Sequence, residues 1–155
     1  MQLYLIRHAI AEERAPGLPD EARALTLEGR SRLKQELRGL RRLGIGFERL
    51  VHSPLRRALE TAELLAPLVE GELHASALLA EPPGPALLAG LAGESLALVG
   101  HEPWLTQLAG LLIGGTPALA LKKGGVLVLE GEPRAGGMRL VQALAPATLR
   151  ALGED

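Results

Sequence analysis

The chain has 155 residues, of which 47% are hydrophobic and 23% are charged, and a chain of this length buries enough apolar surface to fold as one domain. We therefore expect a single domain over residues 1–155. The net charge of −1 and the aromatic content of 2% argue against a nucleic acid or an anionic membrane as the partner, because those partners select basic or aromatic-rich surfaces.

Cysteine is absent, which excludes disulfides, thiolate nucleophiles and cysteine-ligated metal centres. The first apolar run stops at Arg7, too soon for a signal peptide, and no segment approaches the ~20 apolar residues that span a bilayer. These features predict a cytoplasmic protein. Asparagine is also absent and arginine outnumbers lysine; this favours a heat-adapted source, although a GC-rich genome produces the same bias.

The first third of the chain predicts a strand, a loop and a helix. Gln2–Ile6 is almost wholly apolar, as in a central strand covered on both faces. Residues 9–25 predict a long loop, which in a compact domain is usually functional. A helix follows, with Thr26 as its N-cap and Gly44 at its end. Its predicted apolar stripe consists of Leu27, Leu33, Leu37, Leu40 and Leu43.

The middle of the chain repeats the alternation of strands and helices. Leu50–His52 predicts a short strand, and a helix follows with Ser53 at the N-cap and Pro54 at the first helical position, reaching Val69. Gly71–Ala75 predicts another strand. A rigid loop and a short helix come next.

The last part completes an α/β pattern. Leu96–Val99 predicts a buried strand and residues 104–113 a helix. Val126–Glu130 and Met138–Ala143 predict a hairpin, and a final helix starts at Pro146. Strands that alternate with helices predict a three-layer α/β/α sandwich with a mostly parallel central sheet and an antiparallel edge strand.

Polar residues follow three of the predicted strands. Arg7 and His8 end the first strand, Ser53 with Arg56 and Arg57 follows the second, and His101 ends a later one. In an open α/β sheet, ligands bind outside the carboxyl ends of the strands. If these strands are parallel neighbours, two imidazoles and at least two guanidiniums meet in one crevice, and a phosphate is the natural ligand for them.

Two histidines in such a crevice suit phosphoryl transfer. One neutral imidazole can attack phosphorus and form a phosphohistidine that water hydrolyses. Neighbouring arginines lower the pKa of that imidazole and keep it neutral. The second imidazole can hydrogen-bond an equatorial oxygen and, when protonated, neutralise charge in the transition state.

Three motifs give a resemblance to a known family. "LIRHA" at 5–9 resembles the RHG motif of the histidine phosphatase superfamily, which includes the phosphoglycerate mutases. "SPLRRALETA" at 53–62 resembles the family's S-P-L-x-R-A-x-Q-T-A segment, and "VGHEP" at 99–103 resembles its late G-H element. The motifs occur in the family's order. The short length and the absence of a large insertion resemble the SixA-type phosphohistidine phosphatases, and the resemblance implies a phosphoglycerate mutase-like fold.

Carried over residue by residue, the resemblance implies site roles. His8 matches the phosphorylated nucleophile, and Arg7, Arg57 and His101 match the phosphate-binding residues. It selects Arg57 over Arg56, a choice that helical periodicity leaves open. No cofactor and no metal ion are implied.

The general acid is less well defined. Larger members of the family use a carboxylic acid to protonate an alcohol leaving group, and Glu81 is the best positional candidate here, with Glu12 and Glu13 as weaker ones. SixA-type members need little acid help, because the P–N bond of phosphohistidine already has a good leaving group. Ala9 replaces the family's glycine and Glu60 its glutamine.

The sequence therefore predicts a metal-independent phosphatase that uses His8 and acts on phosphohistidine in a protein. Two alternatives stay open: a small-molecule phosphomonoesterase of the same superfamily, and a non-catalytic phosphate-binding regulatory module. The substrate is accordingly a phosphorylated protein or a small phosphoester. Lys122 and Lys123 are predicted to be solvated, and Trp104 to pack its helix or to form a wall of the pocket.

Overall fold

A computed structural model describes residues 1–117 and 119–155. Over these residues six strands and five α-helices alternate, except that the last two strands follow one another directly. The strands are β1 (Gln2–Arg7), β2 (Arg49–His52), β3 (Leu73–Ala75), β4 (Ser95–Gly100), β5 (Val126–Gly131) and β6 (Met138–Leu144). The helices are α1 (Leu27–Arg42), α2 (Arg56–Leu65), α3 (Pro85–Ala89), α4 (Trp104–Ile113) and α5 (Pro146–Leu152).

All six strands form one sheet in the order β3-β2-β4-β1-β5-β6. The first four strands of that order are mutually parallel. β5 runs antiparallel to β1, and β6 runs antiparallel to β5. The predicted mostly parallel sheet with an antiparallel edge is confirmed.

Helices cover both faces of the sheet. In β1, Tyr4 and Ile6 pack into the core shared with α1, α2 and α5, whereas Leu3 and Leu5 pack into the core shared with α3 and α4. Successive side chains of a strand point to opposite faces, so the continuous apolar run that predicted β1 reflects two cores. The three-layer α/β/α architecture follows.

The sheet register brings three strand ends together. Arg7 of β1 lies opposite Gly100 of β4, and His52 of β2 lies opposite Val99. The backbone N–H of His8 donates to Gly100 O at 3.1 Å, and that of Ser53 donates to Val99 O at 2.9 Å. The residues that follow β2, β4 and β1 therefore share one edge, as the sequence predicts.

Helix α1 has the predicted ends, but its apolar stripe is shorter than predicted. The side chain of Thr26 accepts a hydrogen bond from Gly29 N, and Gly44 adopts a φ of 71° after the last turn, a conformation that favours glycine. Leu27 is 87% exposed and Leu43 41%. Leu27 lies six residues before Leu33, which puts it roughly 120° away around the helix.

Helix α2 begins later and ends earlier than predicted. The hydroxyl of Ser53 accepts from Leu55 N at 3.2 Å, but Leu55 is extended with a ψ of 138°, so the α-helix starts at Arg56 with Leu55 as its N-cap. At the other end Pro67 lies in a 3₁₀ turn over Ala66–Leu68, because proline cannot continue an α-helix.

The predicted loop at 9–25 includes one short helical turn. Residues Asp20–Ala22 form a 3₁₀ helix, and Ala11 pairs with Leu25 in an isolated antiparallel bridge. The bridge closes this segment, the active-site loop, at its base. Among the helices of the described residues, none is long and apolar enough to cross a membrane.

Candidate active site

His8 lies at the end of β1 with its ring buried and its tautomer fixed. Nδ1 is 2.7 Å from the carbonyl oxygen of Ala9, and a carbonyl can only accept, so Nδ1 carries the proton and donates it. Nε2 therefore keeps its lone pair. The backbone behind the ring is fixed as well, because Ala9 N donates to Oγ1 of Thr61 at 3.0 Å and Thr61 donates to Arg57 O.

His101 lies beside His8, with 5.2 Å between the two ring centroids. Its Nε2 is 2.7 Å from Oγ of Ser53. That hydroxyl accepts from Leu55 N, and we assign its own proton to the bond with Nε2, since a hydroxyl can accept and donate at once. The proton of the neutral His101 ring is then on Nδ1.

Two guanidiniums are held by backbone carbonyls at the same edge. NH1 of Arg7 donates to Leu121 O at 2.9 Å, and NH1 of Arg57 donates to Asp20 O at 2.8 Å. The side chain of Arg57 is 7% exposed, whereas that of the adjacent Arg56 is 56% exposed and pairs with Glu60 on the helix surface. The structure thus distinguishes the buried Arg57 from the exposed Arg56, a distinction that helical periodicity alone could not make.

Three polar atoms of this cluster are buried and have no hydrogen-bond partner in the described part of the chain. They are Arg7 Nε, Arg57 Nε and His101 Nδ1. An unpaired buried donor costs roughly 1–3 kcal/mol, so donors left in this state usually serve a ligand. All three carry N–H groups, and phosphate oxygens are acceptors of the matching kind.

Burial controls the ionisation of both histidines. Burial lowers the pKa of His8 to about 3; the hydrogen bond to Ala9 opposes this shift, and His101, Arg57 and Arg7 add to it. Burial likewise lowers the pKa of His101 to about 4, with Arg57 as the next contributor. Both rings are neutral near pH 7, as a nucleophilic imidazole and a neutral N–H donor require.

The active-site loop places a carboxylate on Arg57. Oδ2 of Asp20 is 3.1 Å from NH2 of Arg57, and its Oδ1 is 3.0 Å from Nε of Arg23. Desolvation raises the pKa of Asp20, but the hydrogen bonds and positive charges of Arg57 and Arg23 together outweigh it, so the pKa is lowered. The loop thus covers the buried arginine with an ionised group that is itself 46% exposed.

Asp20, Arg57 and His101 line a crevice of about 730 Å³. The ring of His8 lies directly behind it, against His101. The polar wall of the crevice includes Asp20, Arg57 and His101, and its apolar wall includes Pro54 and Trp104. The indole of Trp104 meets the His101 ring edge-on, with 6.1 Å between centroids. Of the two sequence interpretations of Trp104, the structure favours the pocket wall.

The acid candidates lie at the margin. Glu81 is exposed and follows Ala80, which lines the crevice, but Glu81 itself does not line it. The carboxylate of Glu12 accepts a hydrogen bond from Ala24 N at 2.8 Å, and Glu13 is exposed. None of these three carboxyl groups contacts the histidine pair.

Sequence reasoning missed three supporting residues. All three act through hydrogen bonds to residues distant in sequence: Asp20 bonds Arg57, Ser53 bonds His101, and Thr61 bonds Ala9. Ser53 and Thr61 stand inside the "SPLRRALETA" motif, so that motif was the available signal for them. Within residues 1–117 and 119–155, no group of three or more histidine, aspartate or glutamate side chains is arranged to hold a metal ion.

The chain is similar to known proteins in sequence. Residues 3–83 match a family model described as the histidine phosphatase superfamily, branch 1. An uncharacterized protein of Picosynechococcus sp. is 37% identical over 151 residues, which cover 90% of this chain and 88% of that protein.

The fold is also similar to solved structures. The protein histidine phosphatase SixA complexed with tungstate superposes with a TM-score of 0.80 at 22% identity, over 96% of this chain and 99% of that one. A phosphoserine phosphatase from Entamoeba histolytica, in complex with 3-phosphoglyceric acid, gives 0.73 at 19% identity over 96% and 98%. The alpha-ribazole phosphatase from Shigella flexneri gives 0.72 at 19% identity over 94% and 97%.

Proposed function

Because the chain belongs to the histidine phosphatase superfamily, branch 1, we propose that it is a metal-independent phosphatase that works through a phosphohistidine on His8. The observation that carries this proposal is the pair of neutral, buried imidazoles, 5.2 Å apart between ring centroids, beside two guanidiniums whose buried Nε–H groups have no partner among the described residues. One imidazole has a free Nε2, and its neighbours offer donors to phosphate oxygens.

In the first step, Nε2 of His8 attacks phosphorus in line with the leaving group. The Nε2–P bond forms as the bond from phosphorus to the leaving atom breaks, and the electron pair of that bond stays on the leaving atom. The ring becomes cationic as it is phosphorylated, and Nδ1–H keeps its hydrogen bond to Ala9 O, which steadies that charge. Water then attacks phosphorus and gives up a proton to solvent, while the Nε2–P bond breaks and its electron pair returns to Nε2, which leaves as the neutral imidazole. The departed group takes up a proton from solvent, so the overall hydrolysis balances.

Arg7, Arg57 and His101 bind the three equatorial oxygens. Arg7 and Arg57 supply Nε–H, and neutral His101 supplies Nδ1–H because Ser53 occupies its other nitrogen. Donors that are fixed before the reaction stabilise the charge that develops on phosphorus without reorganising. Asp20 pairs with NH2 of Arg57 and leaves its Nε–H free for an oxygen, but its negative charge on the same guanidinium opposes phosphate binding.

We propose phosphohistidine on a protein as the substrate. Two of the carboxylates on the crevice already have partners: Asp20 pairs with Arg57, which helps to lower its pKa, and Glu102 accepts two hydrogen bonds from Thr106. The P–N bond of phosphohistidine needs the least protonation of its leaving group, which suits a crevice of this kind. Glu81 remains the candidate acid for substrates that need one.

A small-molecule phosphomonoesterase is the second candidate. The crevice has the volume of an ordinary small-ligand site, and Trp104 with Pro54 offers an apolar wall to a compact leaving group. The fold likeness extends to proteins named as phosphoserine and alpha-ribazole phosphatases as well as to SixA. The proteins bearing these names are described as acting on different kinds of phosphorylated substrate, so the choice between the two candidates depends on the assay.

The test is phosphate release in EDTA with a phosphohistidine peptide and p-nitrophenyl phosphate side by side. The wild type should turn over both and prefer the peptide, and His8→Ala should lose all measurable turnover. His74→Ala is the matched control, because His74 is exposed on β3. Circular dichroism should show His8→Ala folded. Equal turnover in wild type and His8→Ala would refute the mechanism, and a preference for p-nitrophenyl phosphate would favour the small-molecule candidate.

A further inference from the structure

A second cavity lies near the same strand end. None of its lining residues lines the crevice, but one of them, Arg7, is also a proposed phosphate-binding residue of the active site. This cavity, the basic pocket, has a volume of about 410 Å³. Helix α1, the loop after His8, the turn before β5 and the start of α5 enclose it. Its charged lining residues are Arg7, Arg32, Glu36, Lys122, Lys123 and Arg150.

Positive charge in the basic pocket is only partly compensated. Lys122 and Lys123 are exposed, and no ion pair involves either of them among the residues that the structure describes. Arg32 pairs with Glu28 on the outer surface of α1 at 2.8 Å. Arg150 faces Glu36 at 3.7 Å. Five basic residues thus meet one acidic residue in the lining.

The one acidic residue of the lining, Glu36, is buried. Its side chain is 3% exposed, and it packs against Gly124, where a Cβ would collide with the carboxylate. Burial raises the pKa of Glu36 to about 7, although Arg150 and Arg32 oppose that shift. Near neutral pH the buried carboxyl therefore compensates only part of the charge around it.

We propose that the basic pocket binds a small anion that carries more than one phosphate charge. Its volume lies within the usual range of small-ligand sites. The guanidinium forks of Arg32 and Arg150 match phosphate oxygens, and the flexible lysines supply point charges at the mouth. A single carboxylate would compensate one of these charges, whereas a di- or polyphosphate compensates several.

The basic pocket is connected to the crevice through one turn. Lys122 and Lys123 stand in the segment 121–125, which also pairs with Arg7: Arg7 N donates to Gly125 O at 3.1 Å, and Gly124 N donates to Arg7 O at 3.0 Å. Leu121 O accepts from the Arg7 guanidinium. An anion held by the two lysines therefore rests on the turn that positions Arg7. The binding itself does not depend on the proposed catalytic activity.

The test is a titration of the ¹⁵N-labelled protein with inorganic pyrophosphate, followed by amide shifts. Amides of the basic pocket, such as Gly29 and Ala147, should shift separately from amides of the crevice, such as Trp104. Lys122→Ala/Lys123→Ala should weaken binding at the basic pocket about tenfold and leave crevice binding within twofold. Lys34→Ala/Arg41→Ala, on the exposed side of α1, is the control of equal charge loss and should change neither site.

Glu36→Gln should change the affinity for pyrophosphate in the opposite direction. It removes a negative charge at nearly constant shape, so pyrophosphate should bind the basic pocket several-fold more tightly. Three results would overturn the proposal: no shift of the pocket amides at millimolar pyrophosphate, equal binding by the double-lysine variant, or citrate binding as tightly as pyrophosphate. The last result would assign the site to carboxylates. Failure of the phosphatase assay would leave this titration unaffected.

Discussion

The crevice and the basic pocket flank the end of β1, and they hold their charges in opposite ways. In the crevice the buried partner is the cation: Arg57 is 7% exposed and its carboxylate, Asp20, is 46% exposed on a loop. In the basic pocket the buried partner is the anion: Glu36 is 3% exposed and Arg150 is 23% exposed. An incoming phosphate can displace the loop carboxylate from Arg57, but it cannot displace Glu36.

The difference predicts two kinds of binding. The crevice offers fixed donors whose direction is set by Leu121 O, Ser53 and the backbone of β1 and β4, so it selects geometry. The basic pocket offers longer, more exposed side chains, so it should select a ligand by its negative charge rather than by its shape. Fixed donors are what transition-state stabilisation requires, which is why we propose the crevice rather than the basic pocket as the place of the chemistry.

The largest effect in this comparison should come from Arg57→Ala, set against Arg56→Ala. Removing one preorganised donor costs on the order of 10²–10³ in kcat, and Arg57 is buried in the site. Arg56 is 56% exposed and reaches only Glu60, so its variant should stay within about twofold. Steady-state phosphate release from both substrates measures this pair. Equal losses in the two variants would show that the assignment of Arg57 is wrong.

Ser53→Ala should have the next largest effect. The Ser53 hydroxyl fixes the His101 ring through a 2.7 Å hydrogen bond, and losing such a bond costs about 1 kcal/mol, which is about fivefold in kcat. Ser76→Ala is the matched control. The hydroxyl of Ser76 makes the same local bond to an N–H two residues on, at 3.3 Å, without contacting either histidine.

A structural role alone for Ser53 would produce a different result. In that case Ser53→Ala and Ser76→Ala would lower the melting temperature alike and leave kcat equal. We expect instead that only Ser53→Ala lowers kcat, with KM changed less, and that ¹⁵N shifts of the His101 ring report a mixture of tautomers.

Asp20→Asn should strengthen the binding of a phosphate-like anion at Arg57. The carboxylate competes with phosphate for Arg57, and a partly exposed ion pair is worth roughly 0.2–1 kcal/mol. The inhibition constant for tungstate should therefore fall about two- to fivefold. Glu21→Gln removes the same charge from an exposed neighbour on the crevice wall and should change the constant less. Weaker tungstate inhibition of Asp20→Asn would mean that Asp20 orients Arg57 rather than competing for it.

The sequence predicted the parts of this comparison that depend on strand ends. The apolar runs before His8 and His101 predicted buried strands whose ends would meet if they were parallel neighbours, and β1 and β4 are adjacent and parallel. Contacts between distant segments were not predictable in the same way. Asp20 reaches Arg57 across 37 residues, and no local pattern distinguishes it from the other acidic residues of its loop.

The ends of the helices also depend on contacts that the local sequence does not show. The sequence correctly predicted Thr26 as an N-cap, because its hydroxyl has no competing partner beyond the helix and its own loop. Ser53 has the same local pattern but also lies within reach of His101, and the extended Leu55 delays the helix. The exposed lysines at 122 and 123 were correctly predicted as solvated side chains, but the cavity behind them depends on how α1 meets α5.

The smallest effect should be the pH dependence of the histidines in the free protein. Burial lowers the pKa of His8 to about 3 and that of His101 to about 4, so their ring ¹⁵N shifts should keep the neutral pattern from pH 8 to 5. A His8 that titrated near 6.5 would instead be mostly cationic at pH 5, and the nucleophile would be lost about thirtyfold. Observing that titration would remove the electrostatic basis of the mechanism.

The same lowered pKa values fix the direction of the stability change. The unfolded chain binds the histidine protons more tightly than the folded one, so the contribution of the neutral rings is complete above pH 6.5 and is lost as the pH falls toward 4 and 3. Urea unfolding of the wild type should therefore weaken from pH 7 to 4 more steeply than that of His8→Ala. Since Glu36 is raised to about 7, its contribution runs the other way in both proteins, and their difference isolates the crevice.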